Sequence, residues 1–397
     1  MIADLKIDVV IVSPGLLEAY TKRGGGIEEI DYNVALGLSN RFSVQLIGPR
    51  YRPYLGTTYI SHSFTVKQIP YPAIKRYPSS QKSDKASNFL QSFPYSLTLG
   101  LSLLGTLIKN RIRVVVVHNG LPGLVASFLA RISGRFVVYS EGNTVPWFNP
   151  FIIQPNLSLS QKAMYYVNLV NGKLLAMLAN VVRTQDDAIS EGMVREGIDK
   201  DKLRVIPAGV DLPTIMTSSA VERRDNLIRI GFIGRLSDEK GAPLLVEVVR
   251  KAAIEIPAVR FVILGEGPHR SSLLELQNVE HIGWVSRSEL ASWLNGVDIV
   301  LFFQKSIGLA ELQAMAAGKA VVAGDYKEVS KTIEHMASGI LCQPNPESYL
   351  AAIKNLIDCP RLKSRVSEGA RLTAMNTFNW NVINNKWIEL CEELLVE

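Results

Sequence analysis

The chain has 397 residues, 47% of them hydrophobic and 20% charged, with 29 glycines and 19 prolines. That is a globular composition with ample apolar surface for a core, and it excludes disordered, collagen-like and low-complexity chains. The formal charge of +6 is uneven: residues 1–215 hold 23 basic and 15 acidic side chains, residues 216–397 hold 20 and 22.

Cys342, Cys359 and Cys391 lie far apart, with no CxxC pair and no metal-ligand spacing. This fits a reducing, cytoplasmic compartment. The opening MIADLKIDVVIVS carries Asp4 and Asp8 and no apolar leader pattern, so it is not expected to be a signal peptide. The uncharged stretch 86–108 is diluted by Ser, Thr, Asn, Gln and Pro. It predicts a buried or half-buried helix over 97–108 rather than a membrane span.

In chain order, Ile7–Ser13 predicts a buried strand, followed by the loop Arg23-Gly24-Gly25-Gly26 and a helix from Ile27 to about Ser39. Val44–Ile47 predicts the next strand, giving the β–Gly loop–α–β start of a parallel sheet flanked by helices. Residues 50–85 hold seven basic residues and one acid, Asp84, interleaved with Tyr51, Tyr54, Tyr59, Phe64, Tyr71 and Tyr77. Such a segment suits an anionic partner, a lipid headgroup or a phosphate, or else forms a solvated loop. No nucleic-acid-binding signature accompanies the charge.

Helix 97–109 then leads to strand Val114–Val117, which closes on His118. Helix 122–132 leads to strand Phe136–Tyr139, with Glu141 just beyond its end. Helices near 160–179 and 187–196 flank Val181-Val182, and Arg204–Pro207 predicts a short last strand. Runs of Val and Ile without alternation indicate strands buried on both faces.

Residues 211–226 (DLPTIMTSSAVERRDN) form a linker, and a second β/α series starts at Ile228. Its predicted strands are Ile228–Ile233, Arg260–Leu264, the region of His281-Ile282, Asp298–Phe303, Ala320–Ala323 and Gly339–Cys342. Helices 242–253, 269–276, 288–295, 309–317 and 327–336 lie between them, and two more complete the chain. Two doubly wound α/β domains follow, with a cleft between them and ligands expected at the carboxyl ends of the strands.

Several loops at those ends carry chemistry. GRLSDEKGA places Arg235 and Lys240 after Gly234, and a fork and a point charge together can grip a diphosphate. Gly265-Glu266-Gly267-Pro268 permits positive φ and a close backbone approach to a ligand. Gly308-Leu309 opens a helix whose free N–H groups and positive dipole end suit a phosphate. Gly25 and Gly26 open a similar helix in the first domain. His118 and Glu141, at neighbouring strand ends, are candidates for substrate contact.

Together these segments resemble the retaining nucleotide-sugar glycosyltransferases of the GT-B fold, family 4, essentially end to end. The segments are Gly25-Gly26-Ile27-Glu28, VVVVHNG, IPAGVD, GFIGRLSDEKG, VILGEGP, HIGWVSRSEL, GLAELQAMAAGKAVVA and SGILCQPNPESYLAAI. The resemblance implies two Rossmann-like domains facing each other across a cleft: an acceptor-side domain 1–212, a donor-binding domain 213–380, and a tail 381–397 crossing back onto the first.

It further implies that Arg235 and Lys240 hold the donor diphosphate, which Gly308 and Leu309 meet with backbone N–H groups, while Gly25 and Gly26 approach from the first domain. Gly265, Gly267, Trp284 and Val285 would border the nucleotide base. Lys305 and Gln313 stand where the family has its two spaced glutamates, the second of which grips ribose hydroxyls. Glu141 stands where a histidine is common. The implied reaction needs no metal and no cofactor, with a donor of UDP or GDP type as substrate. The acceptor is a glycan or a lipid-linked sugar, and the protein is cytoplasmic or peripheral on the inner face of the membrane, with no nucleic acid partner. The alternative is a degenerate, non-catalytic relative that binds a nucleotide, a glycan or a partner enzyme.

Overall fold

The computed structural model describes residues 7–13, 26–50, 56–70, 85–142, 147, 158–210, 227–285 and 287–396. Two compact units divide the chain, Met1–Pro207 with Ile383–Glu397, and Ala208–Val382.

In the first unit the strands are β1 (Val9–Val12), β2 (Val44–Arg50), β3 (Gly56–Tyr59), β4 (Phe64–Pro70), β5 (Val114–His118), β6 (Phe136–Glu141), β7 (Val181–Thr184) and β8 (Leu203–Val205). They form one sheet in the order β3-β4-β2-β1-β5-β6-β7-β8. The helices are α1 (Gly26–Leu38), α2 (Lys85–Lys109), α3 (Leu121–Ile132), α4 (Leu159–Leu178) and α5 (Asp187–Arg195). All four residues of β1 and all five of β5 are buried, as Val-rich strands covered on both faces must be. Leu99, Leu103 and Leu107 of α2, Ala126 and Ala130 of α3 and Leu175 of α4 close over Val10, Val115 and Val117.

Two expectations change here. The sheet is mixed, because β3 pairs antiparallel with β4 at its edge. The basic, aromatic segment therefore contains a hairpin. Phe64 is fully buried and belongs to the core, while Tyr59 is exposed. The remaining tyrosines of that segment (Tyr51, Tyr54, Tyr71, Tyr77) lie outside the described residues. Helix α2 also begins twelve residues before the predicted 97, at Lys85, and carries Pro94 inside it.

The second unit holds β9 (Ile228–Ile233), β10 (Val259–Leu264), β11 (Val279–His281), β12 (Ile299–Phe302), β13 (Ala320–Gly324) and β14 (Ile340–Cys342). Their order is β11-β10-β9-β12-β13-β14, parallel throughout. Its helices are α6 (Ala242–Glu255), α7 (Arg270–Leu274), α8 (Arg287–Gly296), α9 (Leu309–Ala316), α10 (Lys327–Ser330), α11 (Pro346–Asp358) and α12 (Pro360–Thr377); α13 (Trp380–Val396) carries the chain back to the first unit.

The predicted helix 327–336 stops at Ser330; beyond it the Ser338 hydroxyl accepts from the Glu334 amide and Met336 takes a positive φ of 63°, so the later residues are not helical. Three helices, not two, end the chain. Pro346 and Pro360 open α11 and α12, where a missing N–H costs nothing, and Asn379 caps α13 by accepting from the Val382 amide. The end of α13 packs within the first unit, where Arg41 meets Glu392 at 2.8 Å.

Candidate functional site

In the second unit, the order β10-β9-β12 sets three loops side by side at the carboxyl ends of the strands. They are bonded to one another: the Leu236 amide donates to the Glu266 carbonyl at 2.9 Å, and His269 Nε2 lies 2.6 Å from Asp238 Oδ1. Gly265 and Gly267 have φ of 152° and 159°. A Cβ on Gly265 would lie 1.9 Å from the Gly234 carbonyl oxygen, and one on Gly267 2.4 Å from that of Leu236. The close approach these glycines permit is therefore to the neighbouring strand-end loop.

Lys240, after β9, donates to Gln304 Oε1, after β12. Gln304 in turn donates to Glu311 on α9, and Glu311 Oε2 accepts from the Gly308 amide at 2.9 Å. Lys240 and the start of α9 are thus brought together. A Cβ on Gly308 would lie 3.9 Å from Lys240 Nζ. Glu311 and Gln304 are 2% and 8% exposed. Burial raises the Glu311 pKa, opposed by Lys240 and by the backbone amides of Glu311 and Gly308.

Arg235 points outward at 66% side-chain exposure and pairs with Glu239 at 3.1 Å. Lys305 is exposed and Gln313 buried. Leu309 is the first residue of α9, and Trp284, just past β11, is exposed beside half-buried Val285. Gln304 and Glu311 were not among the sequence candidates. Glu311 carried one signal, a carboxylate three residues after the glycine that precedes a helix, the spacing at which a side chain reaches back to the N-cap amide.

In the first unit the strand ends of β5, β6 and β7 gather a buried polar cluster. His118 Nε2 lies 2.6 Å from Asp31 Oδ1 of α1, and both are almost fully buried. Burial lowers the His118 pKa, but the charge and hydrogen bond of Asp31 outweigh it and the net shift is upward. Glu141 Oε2 accepts from Tyr139, from Trp147 Nε1 at 3.0 Å and from Asn119 Nδ2 at 3.2 Å. Asn171 of α4 donates to Asn119 Oδ1 at 2.6 Å.

Arg183 of β7 is 2% exposed, donates to the Ile206 carbonyl at 2.6 Å and lies 5.8 Å from the Trp387 ring centroid. Burial pushes its pKa down to about 10, while Asp31, Asp186 and Glu141 pull it up. A guanidinium among carboxylates and imidazole keeps the cluster charge-balanced away from water. Asp31 and Arg183 escaped the sequence reading because their partners lie 87 and 204 residues away. Gly26 opens α1 and is exposed, whereas Gly25 lies outside the described residues. Among the described residues no group of three or more His, Cys, Asp or Glu is placed to hold a metal, and no helix is long and apolar enough to cross a membrane.

Residues 228–359, which carry the second unit's three loops, match the family described as Glycosyl transferases group 1. The chain is 29% identical over 219 residues to a D-inositol 3-phosphate glycosyltransferase of Pseudarthrobacter chlorophenolicus, a match covering 50% of this chain and 52% of that protein. It thus spans about half the length of that curated relative.

Among solved structures, sucrose-phosphate synthase from Thermosynechococcus elongatus is similar over 98% of this chain and 100% of its own, with a TM-score of 0.76 at 15% identity. Anabaena Alr3699/HepE, solved with UDP-glucose, is similar over 98% and 100%, with a TM-score of 0.69 at 16% identity. The fold is therefore that of the GT-B glycosyltransferases, two Rossmann-like α/β domains in one chain.

Proposed function

We propose that this protein is a glycosyltransferase that moves a sugar from a nucleotide-diphosphate sugar, of UDP or GDP type, to a glycan or lipid-linked acceptor. The observation that carries the proposal is the meeting of Lys240 with the Gly308 start of α9, in the segment that matches the glycosyl transferase family. The UDP-glucose complex of the similar Anabaena protein supports the donor class.

The chemical difficulty is the charge on the departing diphosphate as the sugar gains oxocarbenium character. Lys240, Arg235 and the dipole of α9 supply fixed positive potential at that point without a metal. The bond from the sugar C1 to the phosphate oxygen breaks, the acceptor oxygen bonds C1 on the same face, and the acceptor proton passes to the departing phosphate. Configuration is retained.

The diphosphate replaces Gln304 as the partner of Lys240, with the Gly308 and Leu309 amides beside it and Gly234 in the adjacent loop. Gln313 binds the ribose, Lys305 lies by the transferred sugar, and Gly265, Gly267, Trp284 and Val285 border the base. His118 and Glu141 serve the acceptor side, His118 oriented by Asp31.

Lys240→Ala is expected to lower kcat by roughly 10²–10³-fold, and unchanged transfer would remove Lys240 from the mechanism. A thermal-shift panel of UDP, GDP, ADP and their sugar conjugates identifies the donor, because a ligand at about 100 times its Kd adds about 2.7 kcal/mol. One observation favours a second reading, a non-catalytic binding protein: Glu311 already occupies the Gly308 amide. Silence across the panel would make that reading the leading one.

A further inference from the structure

Helix α2 is apolar on two opposite sides. Leu99, Leu103 and Leu107 are 0–4% exposed and pack against the first sheet. Leu97, Leu101, Leu104 and Ile108 repeat at helical spacing on the other side and are 39–77% exposed. A helix that is apolar all round belongs in a core or a membrane rather than in water.

The exposed side continues across its neighbours. Helix α2 packs on α3, and α3 on α4. On α3, Phe128 and Ile132 are more than half exposed. On α4, Tyr166, Val170, Leu174 and Met177 form a third exposed stripe at helical spacing. Soluble monomers rarely leave contiguous apolar surface of this extent uncovered.

Charge says what covers it. Positions 85–140 contain no Asp or Glu; between 85 and 185 stand nine Lys or Arg, of which Arg183 is buried and Lys173 pairs with Glu196 at 2.6 Å, against a single acid, the buried Glu141. Lys109 ends α2 and Arg111 and Arg113 follow it, Arg113 near Asp8 at 3.9 Å, and Arg131 and Arg135 lie at the carboxyl end of α3. The parallel strands these helices lead to put both ends at one margin of the sheet, so the apolar side carries a basic fringe along one edge. Two copies joined through this side would bury an excess of one sign of charge. An anionic bilayer offers hydrocarbon for the stripes and phosphates for the fringe.

We propose that the α2–α3–α4 side of the first unit docks on an anionic lipid bilayer, lying at the headgroup boundary. The docking stands independently of the transferase chemistry. Helix α4 nevertheless links the two, since Asn171, on its inner side, supports Asn119 and through it Glu141.

The test is flotation of the full chain with vesicles of phosphatidylcholine alone and of phosphatidylcholine with phosphatidylglycerol. The wild type is expected to float with the anionic vesicles and to do so roughly tenfold less on neutral ones or at about 0.5 M salt. The double variant Leu101→Glu/Ile108→Glu is expected to lose flotation by roughly tenfold or more with an unchanged melting temperature. If that variant melts early, Phe128→Ser/Met177→Ser replaces it, with the same expected loss. Absence of flotation on either vesicle, or flotation that the variants retain, overturns the proposal. A lipid-free dimer in sedimentation velocity that the double variant dissociates also overturns it, assigning the side to a second copy.

Discussion

The carboxyl ends of the parallel strands occupy equivalent places in the sheets of the two units, yet they are built in opposite ways. In the first unit, His118, Asp31, Glu141 and Arg183 are all at or below 7% exposure: His118 pairs with Asp31, Glu141 accepts from Tyr139, Trp147 and Asn119, and Arg183 donates to the Ile206 carbonyl. In the second, Arg235 is two-thirds exposed and Lys240 donates to the amide oxygen of Gln304 rather than to a carboxylate. A closed, charge-balanced cluster resists rearrangement, because breaking any pair strands a buried charge. Cations held by weak or exposed partners can exchange them for a stronger anion at small cost. The first arrangement fixes a frame, and under the proposed function the second receives the ligand.

The largest expected effect lies in the closed unit. Trp387→Ala removes a ring that is 1% exposed beside Arg183 and should cost about 3–5 kcal/mol in chemical denaturation. A loss below about 1 kcal/mol would mean the cluster is not locked from α13. Gly265→Ala breaks the loop frame of the second unit instead. Its Cβ would meet the Gly234 carbonyl oxygen at 1.9 Å at a φ of 152°, at a cost on the order of 3 kcal/mol.

Asp31→Asn should cost roughly 1.5–3 kcal/mol below neutral pH. The pKa of His118 is raised above its ordinary 6.5. The stability it contributes is thus fully present below pH 6.5 and is lost as pH rises through the folded value. In the variant burial goes largely unopposed, so NMR titration should show the ring pKa falling; an unmoved pKa would break the assignment of Asp31 as its cause.

Glu311→Gln gives a smaller effect, on the order of 1 kcal/mol. The raised pKa of Glu311 contributes stability below its ordinary 4.5 that is lost as pH climbs through the folded value. The variant should flatten that slope in urea titrations against pH. Arg235→Ala should change stability by less than about 0.5 kcal/mol, the pair with Glu239 being exposed. Any large loss of transfer would then belong to the ligand.

Much of the fold was legible because its signals are local. Unbroken Val and Ile runs gave β1, β5, β12 and β13, and the glycines after them marked the loops that converge in the second unit. The β3–β4 hairpin escaped, since basic and tyrosine residues masked a half-buried edge. The helix expected over 327–336 ends at Ser330, and the positive φ at Met336 and the Ser338 hydroxyl on the Glu334 amide belong to the non-helical residues after it.

The site divides in the same way. Lys240 and Gly308 could be named from spacing, whereas Gln304 and Glu311 between them required the pairing of β9 with β12. The exposed stripe of α2 is written in the sequence as leucines at helical spacing, but so is the buried one; only packing against the sheet decides which faces water.

The sequence by itself determined the two β/α series, the loops at their strand ends and the cations those loops carry, because periodicity, glycine placement and charge act over a few residues. Only the tertiary structure decided that His118 is held by Asp31, that Arg183 lies against Trp387 and that Lys240 meets Gln304. Those pairings rest on burial and on chain segments far apart in sequence, and a hydrogen bond between distant residues exists only once the sheets have brought them together.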